Sequence, residues 1–107
     1  PTNIAASGIL KFIRGGKVVS VSLLLGGQAE VTEVIAIRHS RIIGKPIAQL
    51  GLPKGIIIGA IVQEGKVIIP NGSTVIQPND RLIIFCLSAN VPALEAFTKP
   101  GKGGLFR

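Results

Sequence analysis

Short apolar runs separated by turn residues make up most of the chain, and their spacing predicts strands. In residues 17–25, KVVSVSLLL, apolar side chains at every second position alternate with serines, which is typical of a strand with one buried face. Residues 29–39 predict a second strand, in which Glu33 is expected to face solvent. Because Gly26 and Gly27 lie between them, the two segments are predicted to form an antiparallel hairpin.

Two later segments are more continuously apolar, and they predict interior strands. Residues 55–63, GIIIGAIVQ, and 81–87, RLIIFCL, have few polar positions, so both faces of each strand should be covered. Gly59 favours a bulge or a close backbone approach within the first of them. A tight turn at 64–65 leads into a shorter predicted strand at 66–70.

The polar stretch before the last strand contains several turn signals. Asn71 and Gly72 predict one turn, and residues 78–79, Pro-Asn, predict the centre of a type I turn that Asp80 stabilises. A short strand is expected between them, at 74–76.

Three segments have the pattern of helices. Residues 2–14 begin with capping side chains, residues 44–53 end at Gly51 in a left-handed position, and Asn90 is expected to cap a last helix. Hairpins combined with so few helices predict an α+β fold, a small β-sheet of about four to five strands with short helices on one face.

Length and composition limit the class of protein. A chain of 107 residues is expected to form one domain, and because it lacks Met we expect it to begin inside a longer protein. The single cysteine, Cys86, excludes an internal disulfide. The longest apolar run, residues 56–62, is far shorter than the ~20 residues that a membrane-spanning helix needs.

The formal net charge of +7 raises the question of a nucleic-acid partner. The basic residues are scattered along the chain, and the four Phe residues do not interleave with them on one strand face. We therefore interpret the charge as a solvated basic surface and expect no nucleic acid as a partner. An anionic ligand, anionic lipid headgroups and nucleic acid are the alternatives to that interpretation.

The residue patterns of the common catalytic and metal sites are missing from the sequence. It contains neither a P-loop nor a G-x-G-x-x-G motif, and His39 and Cys86 are too few ligands for a zinc site. His39 and Ser40 are neighbours on a predicted strand, so their side chains should point to opposite faces. We therefore expect a protein that is not an enzyme.

One polar cluster favours anion binding. The sequence RHSR at residues 38–41 ends a predicted strand, and residues 44–45 open the next predicted helix. Arginine forks suit phosphate, and a helix N-terminus supplies free N–H groups. The alternative is a solvated polar turn. The predicted ligand site consists of Arg38, His39, Ser40 and Arg41, with an apolar floor from Ile57 or Ile58.

An ordered set of motifs extends over roughly residues 29 to 97. It begins with an acidic pair, Glu30 and Glu33, followed by a Ser-x-x-x-Gly-Lys turn at 40–45 and a helix that ends in Leu-x-Leu-Pro at 50–53. The strand IIGAIVQEG and the stretch IIPNGSTVIQPND follow. In this order the motifs resemble the C-terminal domain of TrkA, the C-lobe of regulator-of-potassium-conductance (RCK) domains.

The resemblance implies a division of the chain into three parts. Residues 29–98 correspond to the C-lobe, residues 1–28 to a linker helix and strand that join it to an absent upstream lobe, and residues 99–107 to a flexible tail. In this family the upstream lobe binds NAD(H) or ATP, so no cofactor is expected in the domain itself. The C-lobe of some relatives binds cyclic di-AMP at a dimer interface, which makes an anionic nucleotide a candidate ligand here.

The resemblance also implies a function. We expect a regulatory, ligand-sensing and dimerising domain of a Trk/Ktr-type potassium uptake system, which gates transport in response to a small molecule. Its partners would be a second copy and a membrane potassium-translocating subunit, at the cytoplasmic face of the membrane. The alternatives are the C-lobe of a cation/proton antiporter or another transporter, and a basic nucleic-acid-binding domain.

Overall fold

The structure is a computed structural model and describes residues 17–99. In these residues, five antiparallel strands form one sheet in the order β1-β2-β5-β3-β4, and one short helix follows them. The α+β fold that the sequence predicts is confirmed. The elements are β1 (Lys17–Leu24), β2 (Ala29–Ile35), β3 (Ile56–Gln63), β4 (Lys66–Ile68), β5 (Arg81–Leu87) and α1 (Val91–Thr98).

The predicted hairpin of β1 and β2 is present. Leu24 lies opposite Ala29, and the connection is a tight turn in which Leu25, Gly26 and Gly27 all have positive φ, at 53°, 67° and 96°. Glycine adopts such angles at no steric cost, which explains the glycine pair. β2 ends at Ile35 rather than at residue 39, because the chain then leaves the sheet and turns at residues 38–39.

The bulge predicted at Gly59 is also present. The register between β3 and β5 shifts between Ile58 and Ala60, so Gly59 has no direct partner on β5. The shift keeps both Ile58 and Ile61 buried on one face, although they are three positions apart in the strand. A glycine therefore sets which side chains of β3 face the core.

One face of the sheet carries the core of the described residues. Ile61, Leu82 and Ile84 on the strands have no exposed surface, and neither have Ile42 and Ile76 in the connecting loops. Helix α1 adds two further side chains to the same cluster, Leu94 and Phe97, as the sequence predicts. The helix and the loops thus cover the same side of the sheet.

The opposite side of the sheet stays exposed, so the prediction that β3 and β5 have two covered faces is wrong within the described residues. Ile57 is 60% exposed, Phe85 45% and Leu87 51%. The strand pattern cannot show this, because it gives the apolar positions but not the number of layers available to cover them. Leu23, expected on the buried face of β1, is likewise exposed at the end of its hairpin.

The segment predicted as a helix at 44–53 forms a single 3-10 turn, Ile47–Gln49. Backbone N–H groups in this region donate to the loop that runs alongside: Ile47 N–H to the Thr74 carbonyl at 2.9 Å and Ala48 N–H to the Gly72 carbonyl at 2.9 Å. These bonds between loops take the place of the helical ones. Gly51, with φ of 75°, ends the turn in the left-handed conformation that the sequence predicts.

Three smaller predictions are also corrected. The expected strand at 74–76 is a single bridge between Val75 and Pro46. The turn at 78–79 is of type II rather than type I, because Asn79 has φ of 75°. Asn90 makes no side-chain capping hydrogen bond with any described residue. The helix predicted at 2–14 lies outside the described residues.

Candidate functional site

The sequence RHSR forms a turn directly after β2, with Arg38 and His39 exposed. His39 has φ of 76°, an uncommon angle for a residue with a side chain. Ser40 is buried, and its hydroxyl donates to the Ile37 carbonyl at 2.8 Å. The Ser40 hydroxyl therefore closes the turn.

Arg41 differs from Arg38 because it packs on another element. Its guanidinium carbon lies 4.5 Å from the centre of the Phe97 ring, near the end of α1. The neighbouring Ile42 N–H donates to the Phe97 carbonyl at 3.1 Å, which ties the turn to the helix. Beside this pair lies a cavity of about 250 Å³, here called the basic cavity, which is lined by Arg41, Ile43, Lys45, Gln49, Leu50 and Phe97.

The predicted anion site needs free backbone N–H groups at the start of the 44–53 segment. In the structure, three of these groups already donate hydrogen bonds to carbonyl groups of a neighbouring loop. Gly44 N–H donates to the Ile76 carbonyl at 3.2 Å, and the N–H groups of Ile47 and Ala48 also donate to loop carbonyls. These three N–H groups are therefore already engaged and do not contribute to an anion site near Arg41.

Ile57 and Ile58, the predicted apolar floor, are adjacent on β3 and point to opposite faces of the sheet. Ile57 is 60% exposed and Ile58 is 8% exposed. Both line a cavity of about 350 Å³, here called the apolar cavity. Its other lining residues come from the 3-10 turn and the loop after β4: Ile47, Ala48, Gly51, Leu52, Ile56, Pro70 and Asn71.

Of the predicted site, Arg41 lines the basic cavity, and Ile57 and Ile58 line the apolar cavity. Arg38, His39 and Ser40 are not among the described residues that line either cavity. Gln49 and Leu50 line the basic cavity, whereas Ile47, Ala48, Gly51 and Leu52 line the apolar cavity, so both cavities border the same short segment. Sequence reasoning did not include Gln49 or Phe97 in the site. Gln49 and Phe97 belong to the site only because the fold brings them close to Arg41. The spacing of residues in the sequence does not reveal such proximity.

The second notable surface is the exposed side of the sheet, here called the open face and defined by Leu24, Val31, Ile57, Phe85 and Leu87. Val31 and Ile57 are the two cross-strand partners of Phe85, and Leu87 lies opposite Ala29. Leu24, Ile57, Phe85 and Leu87 also line a cavity of about 230 Å³ at one end of the sheet. Contiguous apolar surface of this kind is typical of protein interaction sites.

An ion pair lies on the same side of the sheet as the open face. The Arg81 guanidinium donates to the Glu33 carboxylate at 2.7 Å, and the Ser20 hydroxyl donates to the other Glu33 oxygen at 3.4 Å. The Arg81 side chain is 47% exposed and that of Glu33 25%, so water screens the pair and it adds little stability. The pair gives this side of the sheet one fixed polar group beside its apolar residues.

Three buried polar residues, Glu30, Thr32 and Asp80, have hydrogen-bond partners in the structure. The Thr32 hydroxyl donates to the Glu30 carboxylate at 2.6 Å, and Asp80 accepts from the Gln77 N–H at 2.9 Å and from the Gln63 side chain at 2.8 Å. The role predicted for Asp80 in its turn is therefore confirmed. The residues that the structure describes contain neither a group of three metal-ligating side chains nor a helix long and apolar enough to cross a membrane.

Comparison with known proteins gives curated relatives that are much longer than this chain. The chain is 36% identical to the Trk system potassium uptake protein TrkA of Azorhizobium caulinodans over 95 residues, which cover 89% of the chain and 21% of that protein. It is 35% identical to TrkA homolog 2 of Methanosarcina mazei, covering 92% and 22%, and 36% identical to TrkA of Haemophilus influenzae, covering 94% and 23%. The chain thus spans about a fifth of the length of these relatives.

Two solved structures share the fold. An RCK domain solved with cda has a TM-score of 0.53 at 21% identity, covering 64% of this chain and 97% of that one. The GsuK RCK domain has a TM-score of 0.60 at 19% identity, covering 94% and 23%. At these identities the likeness shows the fold alone. The TrkA-C domain family matches residues 31–99, which include four of the five described strands, apart from the first two residues of β2, and the helix, and the chain belongs to that family.

Proposed function

We propose that this chain is a non-catalytic regulatory domain of a potassium uptake system, which dimerises and binds a small molecule to help gate transport. Membership of the TrkA-C domain family and relatives named as Trk potassium uptake proteins support the assignment to such a system. The observation that carries the dimerisation is the open face, where apolar side chains lie uncovered on one side of a sheet.

A second copy of the chain is the proposed occupant of the open face. Ile57, Phe85 and Leu87 lie on adjacent strands, and each is about half exposed or more. Association with a second copy would bury these side chains. Apolar burial contributes roughly 25 cal/mol per Å². The ion pair of Glu33 and Arg81 on the same side of the sheet would favour one orientation of the two copies.

The apolar cavity is the proposed place for the uncharged part of the ligand. Its volume of about 350 Å³ is within the range of small-molecule sites, and its lining is mostly aliphatic. Ile57 belongs both to this cavity and to the open face, so a ligand bound here would lie beside the dimer contact. An adenine nucleotide or cyclic di-AMP has flat bases that suit such a surface, and a related RCK domain was solved with cda.

The proposed partner in the cell is a membrane potassium-translocating subunit, with this domain at the cytoplasmic face of the membrane. NAD(H) or ATP would bind to another part of a longer protein, because the present chain lacks the glycine-rich loops that hold such cofactors. The names of the relatives support the link to potassium uptake, and the chain spans about a fifth of their length.

Sedimentation analysis at micromolar concentration tests the dimer. The unchanged chain should sediment as a dimer, and Phe85→Asp should sediment as a folded monomer because a carboxylate would be buried at the contact. Ile69→Asp is the matched control, since Ile69 is 75% exposed and outside the open face. Monomers of the unchanged chain, or equal dissociation in both variants, would contradict the proposed interface.

Calorimetry against cyclic di-AMP, NAD(H), ATP and AMP tests ligand sensing. Binding at the apolar cavity, which Arg41→Gln should not affect, should be lost when Ala48→Trp fills that cavity. It should be retained in Gln77→Trp, which adds the same bulk at an exposed position elsewhere. Potassium uptake by cells whose full-length protein lacks residues 31–99 tests the regulatory role. Uptake that responds normally to the ligand without this segment would exclude it.

A further inference from the structure

The geometry of the basic cavity points to a binding site for a phosphate group. We propose that Arg41, Lys45 and Gln49 bind the phosphate of a small molecule or the inorganic ion, at a site separate from the apolar cavity. The proposal depends neither on dimerisation nor on a ligand in the apolar cavity.

The first argument is the position of the Arg41 guanidinium. Its guanidinium carbon lies over the Phe97 ring, 4.5 Å from the ring centre, and the ring attracts the cation through its face. Arg41 forms no hydrogen bond or ion pair with the other residues that the structure describes. A guanidinium held over an aromatic ring, whose N–H donors form no bond to these residues, is suited to bind a tetrahedral oxyanion.

The second argument is that the support of Arg41 is rigid. Phe97 is only 6% exposed and packs in the core, so its ring cannot swing away from the guanidinium. On either side of Arg41 the backbone is bonded: Ser40 N–H to the Ile37 carbonyl and Ile42 N–H to the Phe97 carbonyl, each at 3.1 Å. Arg41 is therefore held in place before a ligand binds, which lowers the entropic cost of binding.

The third argument is the charge of the cavity. Lys45 adds a second cation, and Gln49 adds a side-chain amide that can donate two hydrogen bonds. None of the described residues that line this cavity is acidic, so within residues 17–99 no carboxylate of the lining would repel an anion. Its volume of about 250 Å³ has room for a phosphate and part of the molecule that carries it.

Nuclear magnetic resonance of the nitrogen-15-labelled chain, titrated with sodium phosphate, tests the proposal. Saturable shifts of the Arg41 Nε–H and the Gln49 side-chain amide are expected, and sodium chloride at equal ionic strength should not produce them. Arg41→Gln and Lys45→Gln should each weaken the phosphate affinity by about tenfold or more, because each removes a charge-assisted contact. Arg41→Lys keeps a cation over Phe97 and should retain the fold while losing the fork and most of the affinity.

Arg38→Gln is the matched control, since Arg38 is an exposed arginine of the same turn that does not line the cavity. Its phosphate affinity should equal that of the unchanged chain. Shifts that follow ionic strength alone, or an equal loss in Arg38→Gln and Arg41→Gln, would overturn the proposal. A lower melting temperature in Arg41→Gln without phosphate binding to the unchanged chain would also overturn it and leave Arg41 as a support for the end of α1.

Parallel titrations with AMP and adenosine identify the source of the phosphate. Tighter binding of AMP than of phosphate, with the same dependence on Arg41, assigns the site to a nucleotide phosphate. Equal affinities assign it to inorganic phosphate, and both outcomes support the site. Adenosine binding here as tightly as AMP would overturn it. If the chain is monomeric and still binds phosphate, the phosphate site is supported and the proposed dimer is refuted.

Discussion

The ring of Phe85 lies against Gly59, where a side chain would have no room. A Cβ atom added at position 59 would be 2.5 Å from Cε2 and 3.0 Å from Cδ2 of the ring. Gly59 is the bulge of β3, and Phe85 is the aromatic residue of the open face on β5. The glycine therefore does two things: it permits the bulge, and it lets the aromatic ring lie close to the backbone.

This contact gives a prediction for Gly59→Ala. The new methyl group should displace the Phe85 ring and lower the free energy of unfolding by about 1–3 kcal/mol, measured by urea denaturation. In a Phe85→Ala background the same change should cost much less, because the ring that it meets is gone. Equal costs in both backgrounds would show that the bulge conformation, and not the ring, requires glycine at this position.

Asp80 should contribute more to the free energy of unfolding than Glu64, the acidic residue in the adjacent β3–β4 turn. It is 6% exposed and accepts two hydrogen bonds, one from a backbone N–H and one from Gln63. Asp80→Ala leaves both donors without this acceptor, so the free energy of unfolding should fall by about 1–3 kcal/mol. The control is Glu64→Ala, an exposed acid in the adjacent β3–β4 turn, which should change it by less than about 0.5 kcal/mol. Thermal and urea denaturation would measure both, and an equal effect would contradict the role of the Asp80 bonds.

The type II turn at Pro78 and Asn79 predicts a difference between two substitutions of Asn79. Asn79→Gly should preserve stability, because glycine adopts φ of 75° freely. Asn79→Val should lower the free energy of unfolding by about 1 kcal/mol or more, since a β-branched residue strongly disfavours positive φ. Differential scanning calorimetry of the two variants is the measurement. Similar melting temperatures would mean that the turn adopts another conformation in solution.

The two sides of the sheet should respond differently to the loss of an isoleucine. Ile84→Ala removes a side chain with no exposed surface, and we expect it to lower the free energy of unfolding by about 2–5 kcal/mol. Ile57→Ala removes one that is 60% exposed, so it should have little effect on the stability of the monomer. If the proposed dimer forms, Ile57→Ala should instead raise its dissociation constant. Denaturation under monomeric conditions, with sedimentation beside it, separates the two effects.

Local pattern was sufficient for most of the secondary structure. Alternation in residues 17–25 and 29–39 predicted the β1–β2 hairpin, and apolar runs predicted β3 and β5, because strand periodicity and glycine turns depend on neighbours in sequence. The bulge at Gly59 was also predictable, because a glycine inside an apolar strand is itself a local signal for a bulge. The order of the motifs was also enough to indicate the family, which the match to residues 31–99 confirms.

Pairing between distant parts of the chain decided the rest. The sequence could not show that Ile47 and Ala48 donate to the loop at 72–74, and so it predicted a longer helix with free N–H groups. It could not place Arg41 on Phe97 or separate Arg41 from the cavity beside Ile57, since these contacts depend on how α1 and the loops pack. The sequence predicted short helices on one face of the sheet, but only the tertiary structure showed that, in residues 17–99, the connecting loops pack on that face as well. An apolar strand is equally compatible with one covered face or two, and the number of layers that pack on it is a property of the whole fold.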